Sequence, residues 1–133
     1  MRTRFLVGGL VLFGVAAAAV VLAGDAGAAP SRQWIVATFA RPTVIAGAIV
    51  SGPVVIVHDD NKMMAGQPCT SVYRVGGKNG RQEEIVSFMC KPATRDEVSE
   101  FTATCRRAVL SGPDVLVEYQ FAGDKEAHGV PGY

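Results

Sequence analysis

Two histidines and three cysteines carry most of the metal-ligating and nucleophilic chemistry in this 133-residue chain. The densest stretch runs from His58-Asp59-Asp60 through Met63 and Met64 to Cys69, with Met89 and Cys90 following after a polar interval. Imidazole, thioether and thiol together are donors suited to copper or zinc. A metal reading of this stretch would use His58, Met63, Met64 and Cys105, with His128 as the sole source of a second imidazole. The competing structural reading is a polar loop, HDDNKMMAGQP, whose Asp59 and Asp60 cap its own backbone amides. The two readings turn on whether Cys69 is free to ligate.

The segment CTSVYRV-GGKNGRQ-EEIVSFMC bears directly on that question. Asn79-Gly80 is a strong hairpin signal, because both central residues of a type I′ turn need positive φ. With those two residues as the turn, facing positions have numbers summing to 159, and Cys69 falls opposite Cys90 on a close-approaching pair. This predicts a Cys69–Cys90 disulfide, worth roughly 3 kcal/mol through loop closure. It also puts Cys69, Ser71, Tyr73 and Val75 on a core face with Phe88, Val86 and Glu84. Cys90 with Cys105 is the alternative pairing; otherwise Cys105 is a buried, inert thiol.

The elements that must position these groups read as strands. QWIVATFA (residues 33–40) alternates, with Trp34, Val36 and Thr38 on one face and Ile35, Ala37 and Phe39 on the other. Pro42 punctuates it, and TVIAGAIV and PVVIVH then flank Ser51-Gly52 as a second hairpin. Residues 54–57 are apolar on both faces, as in an interior strand. AIVSGPVVIV (48–57) recurs as AVLSGPDVLV (108–117), which predicts the same hairpin shape twice, by chance or by duplication. PATRDEVSE (92–100) suggests a single helical turn. Strands resume in FTATCRRAVL, where Phe101, Ala103 and Cys105 share a face, and in VLVEYQF, where Val115, Val117, Tyr119 and Phe121 share one. Arg106-Arg107 reads as a solvated edge.

The expected fold is therefore all-β: a small antiparallel β-sandwich of about seven strands, or alternatively a partly open barrel. An N-terminal hydrophobic helix precedes it. Arg2 and Arg4 lead an apolar run from Phe5 to Ala23, and Ala26-Gly27-Ala28 supplies small residues for a signal peptidase. Residues 1–28 are read as a signal peptide or an uncleaved anchor, 29–121 as the β-domain and 122–133 as a C-terminal coil. Export to the periplasm or cell surface follows.

Removing residues 1–28 takes away Arg2, Arg4 and Asp25 and leaves eleven charges of each sign. A neutral domain without nucleic-acid motifs excludes phosphate tracking, so nucleic acid is not an expected partner. No Gly-x-Ser-x-Gly, His-Glu-x-x-His or phosphate-cradling loop occurs, and Glu83/Glu84 and Asp96/Glu97 are adjacent pairs rather than facing ones. The residues FARPTVIAG, GPVVIVHDDNKM, GQPCTSVY and VSFMC resemble uncharacterised exported bacterial β-domain proteins over Phe39 to Cys90. Those proteins carry a His directly before the second cysteine, where this chain has Met89, which weakens a metal site built on that position. The resemblance implies export and a β-fold, with no known activity.

The leading expectation is an exported, non-enzymatic binding or assembly module without a cofactor, its partner an unknown protein or small ligand. One alternative is a periplasmic copper- or zinc-binding protein. The other is an accessory subunit that meets the membrane only through a retained N-terminal helix.

Overall fold

A computed structural model describes residues 31–77, 79, 82–107 and 110–132. The signal-peptide or anchor reading of residues 1–28 lies outside them. Along strand β1 (Arg32–Ile45) the expected alternation holds, with Trp34 and Val36 exposed and Ala37 and Phe39 buried. Strand β2 (Ala48–Asp59) pairs with it antiparallel, and Val54 to Val57 are all buried, as expected of an interior strand.

The reversal between these strands is not at Ser51-Gly52. It is at Ala46-Gly47, where φ is 45° and 91° and Ile45 pairs with Ala48. Both turn residues take positive φ, the requirement of a type I′ turn, and Ala is an unusual residue to meet it. Ala46→Asn is expected to stabilise the protein by about 0.5–1 kcal/mol, because Asn tolerates that backbone region better than Ala. Urea unfolding with an unchanged m-value checks it.

Ser51-Gly52 instead lies within β2, opposite a bulge. Phe39 pairs with Gly52 and Thr43 with Val50, so residues 40–42 face Ser51 alone. Pro42, which cannot donate to a ladder, sits where the ladder is interrupted. In the second Ser-Gly-Pro segment, Leu110 takes φ 70° and the chain turns into β7. The two similar segments therefore have different shapes, set by their neighbours rather than by their shared sequence.

The short helix α1 (Asp60–Met64) follows β2, then β3 (Thr70–Arg74), β4 (Glu83–Phe88), β5 (Lys91–Thr94), β6 (Thr102–Arg106), β7 (Asp114–Gln120) and β8 (Glu126–Gly129). The ladder order is β4-β3-β2-β1-β7-β8-β5, with β6 on the other edge of β7. β1 and β7 run parallel where Thr43 meets Asp114 and Val44 meets Val115; the other described pairings are antiparallel. The chain is all-β, in one curled, partly open sheet of eight strands rather than two stacked sheets. Two strands come from stretches read otherwise. Residues 91–94 are not a helical turn but pair with β8, Pro92 being tolerated on an edge. Residues 126–129 are not coil, because they pair with both β5 and β7.

The curl encloses Ile45, Val54, Ile56, Val72, Phe88, Leu116, Tyr119 and Phe121. Two registers differ from expectation, and each moves a face. In β3–β4, Thr70 pairs with Phe88 and Val72 with Val86, one residue off the expected sum, and a further slip follows at Tyr73 with Glu84. A one-residue slip exchanges faces. Val72 thus occupies the core while Tyr73 is only half-buried and Val75 is exposed. On β7, Thr104 pairs with Glu118 and Cys105 with Leu116, so Val117 is the extra residue. That bulge lets Leu116 and Tyr119 both point inward.

Candidate metal centre

His58 lies near the C-terminal end of β2, on the same side as Val54 and Ile56, and the alternation carries its ring into the core rather than to the rim. It is wholly buried. Thr70 pairs with it across β3, so the preceding Cys69 lies beside it; the Cys69 carbonyl accepts the Asp59 N–H at 2.9 Å. Cys90 occupies the short junction between β4 and β5. Its N–H donates to Cys69 Sγ at 3.1 Å, and Cys69 Sγ lies 3.9 Å from the Phe88 carbonyl. One nitrogen of His58 and the sulfurs of Cys69 and Cys90 all fall within 4.8 Å of one another.

The fourth member comes from β8. His128 pairs with Tyr119 on one side and Pro92 on the other, which drives its ring inward to 2% exposure. Its Nδ1 is 3.7 Å from Cys90 Sγ, and its ring centroid is 4.0 Å from that of His58. Tyr119 stacks on it at 5.0 Å, and the Tyr119 hydroxyl shares a short hydrogen bond with the Thr70 hydroxyl.

Burial shifts three of the four groups toward their neutral forms. Burial lowers the His58 pKa against the opposing pull of Asp60, Asp59 and Asp124. Burial, together with the neighbouring His58, lowers that of His128 to about 4. Burial and the contact with Cys69 push the Cys90 thiol up to about 12. These shifts run opposite to those of a nucleophilic Cys-His pair, which needs a thiolate and an imidazolium near neutral pH. Neither nitrogen of His58 has a hydrogen-bond partner, although Nδ1 approaches Asp60 Oδ1 at 3.4 Å without the alignment of a hydrogen bond. Buried polar atoms are ordinarily satisfied, so two orphans on one wholly buried ring point to a missing partner.

The residues expected to ligate divide here. His58 is in the cluster. Cys105 is not; it lies half-buried on β6, where burial and then Asp114 push its thiol up. Met64 is 67% exposed and Met63 packs against the core rim, because α1 turns the two side chains differently. Met89 is exposed as well, facing away from its neighbour Cys90. Asp59 does cap α1, its Oδ1 accepting from the N–H groups of Asn61 and Lys62 at 3.0 and 3.3 Å. Asp60 instead accepts from Ser31, through its backbone N–H at 2.9 Å and its hydroxyl at 3.2 Å.

The three cysteines are unpaired in the structure, which nevertheless brings Cys69 and Cys90, the pair expected to be bridged, within 4.8 Å of each other. They meet by a different route from the one expected: the hairpin register is shifted, and contact is made beyond the last paired residues Thr70 and Phe88. His128, expected in a C-terminal coil as the sole source of a second imidazole, is instead carried into the cluster by β8. The available signal was compositional, since two His and at least two Cys in one small chain already make a zinc-type donor set.

Comparison with protein-family models, with curated proteins and with solved structures finds no match.

Proposed function

We propose that this protein is an exported binding module whose ligand is one zinc-type divalent metal ion, held by His58, Cys69 and Cys90 with His128 as the fourth donor. The observation that carries this reading is the convergence of three buried ligand atoms within 4.8 Å, one of them on a ring with no hydrogen bond. Donor type points to zinc or copper. Charge separates zinc from monovalent copper. A divalent ion with two thiolates and two neutral imidazoles has no net charge, whereas a monovalent copper ion in the same set leaves one uncompensated negative charge in a dry interior, which is costly. Export rests on Arg2, Arg4, the Phe5–Ala23 run and Ala26-Gly27-Ala28. The raised Cys90 thiol and the lowered imidazoles favour binding over nucleophilic catalysis.

Cobalt titration of the reduced full chain tests the proposal. One equivalent is expected to produce thiolate-to-cobalt charge-transfer absorption and the visible bands of a tetrahedral site, both lost on adding zinc. The charge-transfer band is expected to be abolished in a Cys69→Ser, Cys90→Ser double variant. Absence of the band in protein whose two thiols are shown to be reduced overturns the assignment. Zinc at a thousand times its dissociation constant is further expected to add about 4 kcal/mol of stability. For a domain of this size that is on the order of 15–30 °C in Tm, measurable by calorimetry with and without chelator.

A further inference from the structure

A polar cleft of about 420 Å³ reaches the buried cluster at His128, and Asp60, Asp124, Glu126 and Lys125 are among the residues that line it. We propose that this cleft is the port through which a hydrated divalent cation reaches the buried ligands, with Asp60, Asp124 and Glu126 as the groups that draw it in and strip its water. The inference rests on the metal-binding reading above.

Three observations converge on it. Two carboxylates of the cleft each approach one imidazole of the cluster: Asp60 Oδ1 lies 3.4 Å from His58 Nδ1, and Glu126 Oε1 lies 3.9 Å from His128 Nδ1. His58, wholly buried and without a hydrogen bond on either nitrogen, thus has Nδ1 directed at the cleft wall. The carboxylates are also poorly compensated. Three of them share the cleft with a single lysine.

Size is adequate. A cation with about six waters, at about 30 Å³ each, needs roughly 180 Å³. A second cavity, about 470 Å³ and lined by Arg32, Trp34, Val55, Val57 and Gln82, lies against the outward side of β1 and β2 and includes none of the four proposed ligands. Its arginine and apolar walls would not attract a cation.

The loaded site is neutral, so charge in the port acts mainly on the ion in transit. Port carboxylates should therefore govern rates more than affinity. Stopped-flow mixing of the reduced full chain with cobalt, read at the charge-transfer band, tests this. Asp124→Asn keeps an acceptor for the Gln33 side-chain amide, which now donates to Asp124 at 2.9 Å, and Glu126→Gln preserves shape. The double variant is expected to load about tenfold more slowly at low salt, to lose most of the salt dependence, and to release metal to a chelator more slowly by a similar factor. Lys125→Gln is expected to load a few-fold faster. Wild-type loading rates in all these variants overturn the port. So does a dissociation constant that rises in step with the fall in loading rate, which would make the carboxylates ligands. Failure of the wild-type chain to bind cobalt at all would instead remove the metal-binding reading on which the port depends.

Discussion

Replacing Tyr119 by alanine is expected to cost roughly 3–5 kcal/mol, a large share of the total stability of a domain this size. The ring is 1% exposed and packs against Phe101 at 6.2 Å, Phe121 at 5.8 Å and His128 at 5.0 Å. Its hydroxyl is the partner of buried Thr70. Tyr119→Phe separates the two contributions. It keeps the stack on His128 but leaves the Thr70 hydroxyl buried without its partner, at about 1–3 kcal/mol. Urea midpoints at constant m-value give both numbers. If Tyr119→Phe proves as costly as Tyr119→Ala, the hydrogen bond and not the aromatic packing holds β3 to β7. If both variants match the parent, the core is not organised around this ring.

Acidification should destabilise the metal-free protein well before its carboxylates are protonated. The unfolded chain takes up a proton on each histidine near pH 6.5, while folded His128 resists until about 4 and His58 is lowered in the same direction. The unfolded state therefore binds more protons below pH 6.5, and stability falls with pH. Each imidazole that stays neutral contributes a loss of about 1.4 kcal/mol per unit. Between pH 6.5 and 5, His128 alone accounts for roughly 1–2 kcal/mol of lost stability, and His58 adds to it. The loss ends once the pH passes below the folded-state values. Denaturant unfolding at pH 7, 6 and 5 with chelator present measures the slope, and His128→Gln should remove one proton's share of it. A flat profile over that window would mean that both rings are protonated in the folded protein despite their burial. Zinc should change the profile, since acid must then also displace the metal by protonating its ligands.

Much of the sheet was legible in the sequence because it is written in local alternation. The outward Trp34 and Val36, the inward Ala37 and Phe39, and the doubly buried 54–57 run needed only period-two reading. Turns were less legible. Ala46 takes left-handed geometry without belonging to the residue types that advertise it. The Asn79-Gly80 signal overlaps a connection, residues 75–82, in which Gly76 also takes positive φ at 75°, so the strands close on Arg74 and Glu83 and the register slips. Asn79 itself does adopt φ 64°. The site was half legible. His58 and the approach of Cys69 to Cys90 came from sequence; His128 was available only as the remaining imidazole, in a stretch read as coil. Gly123, Gly129 and Pro131 make its surroundings look like coil, and its burial is imposed by pairing with Tyr119 and Pro92, neither of which is a sequence neighbour. Met63, Met64 and Cys105 were grouped by proximity along the chain, which a helical turn and a distant edge strand do not preserve.

The order of the strands has a kinetic meaning. β4, β3, β2 and β1 are joined in sequence by antiparallel neighbours, so the half of the sheet carrying His58, Cys69 and Cys90 can form from contacts local in the chain. The parallel seam of Thr43 and Val44 with Asp114 and Val115 must instead close a loop of about 70 residues, a larger entropic step and a slower one. Topology thus favours early assembly of three donors, with the fourth expected to arrive with β8 once the seam has closed. A metal ion encountered between these two stages would be held at first by an incomplete set of ligands, and docking of the last strand would then be the step that commits it.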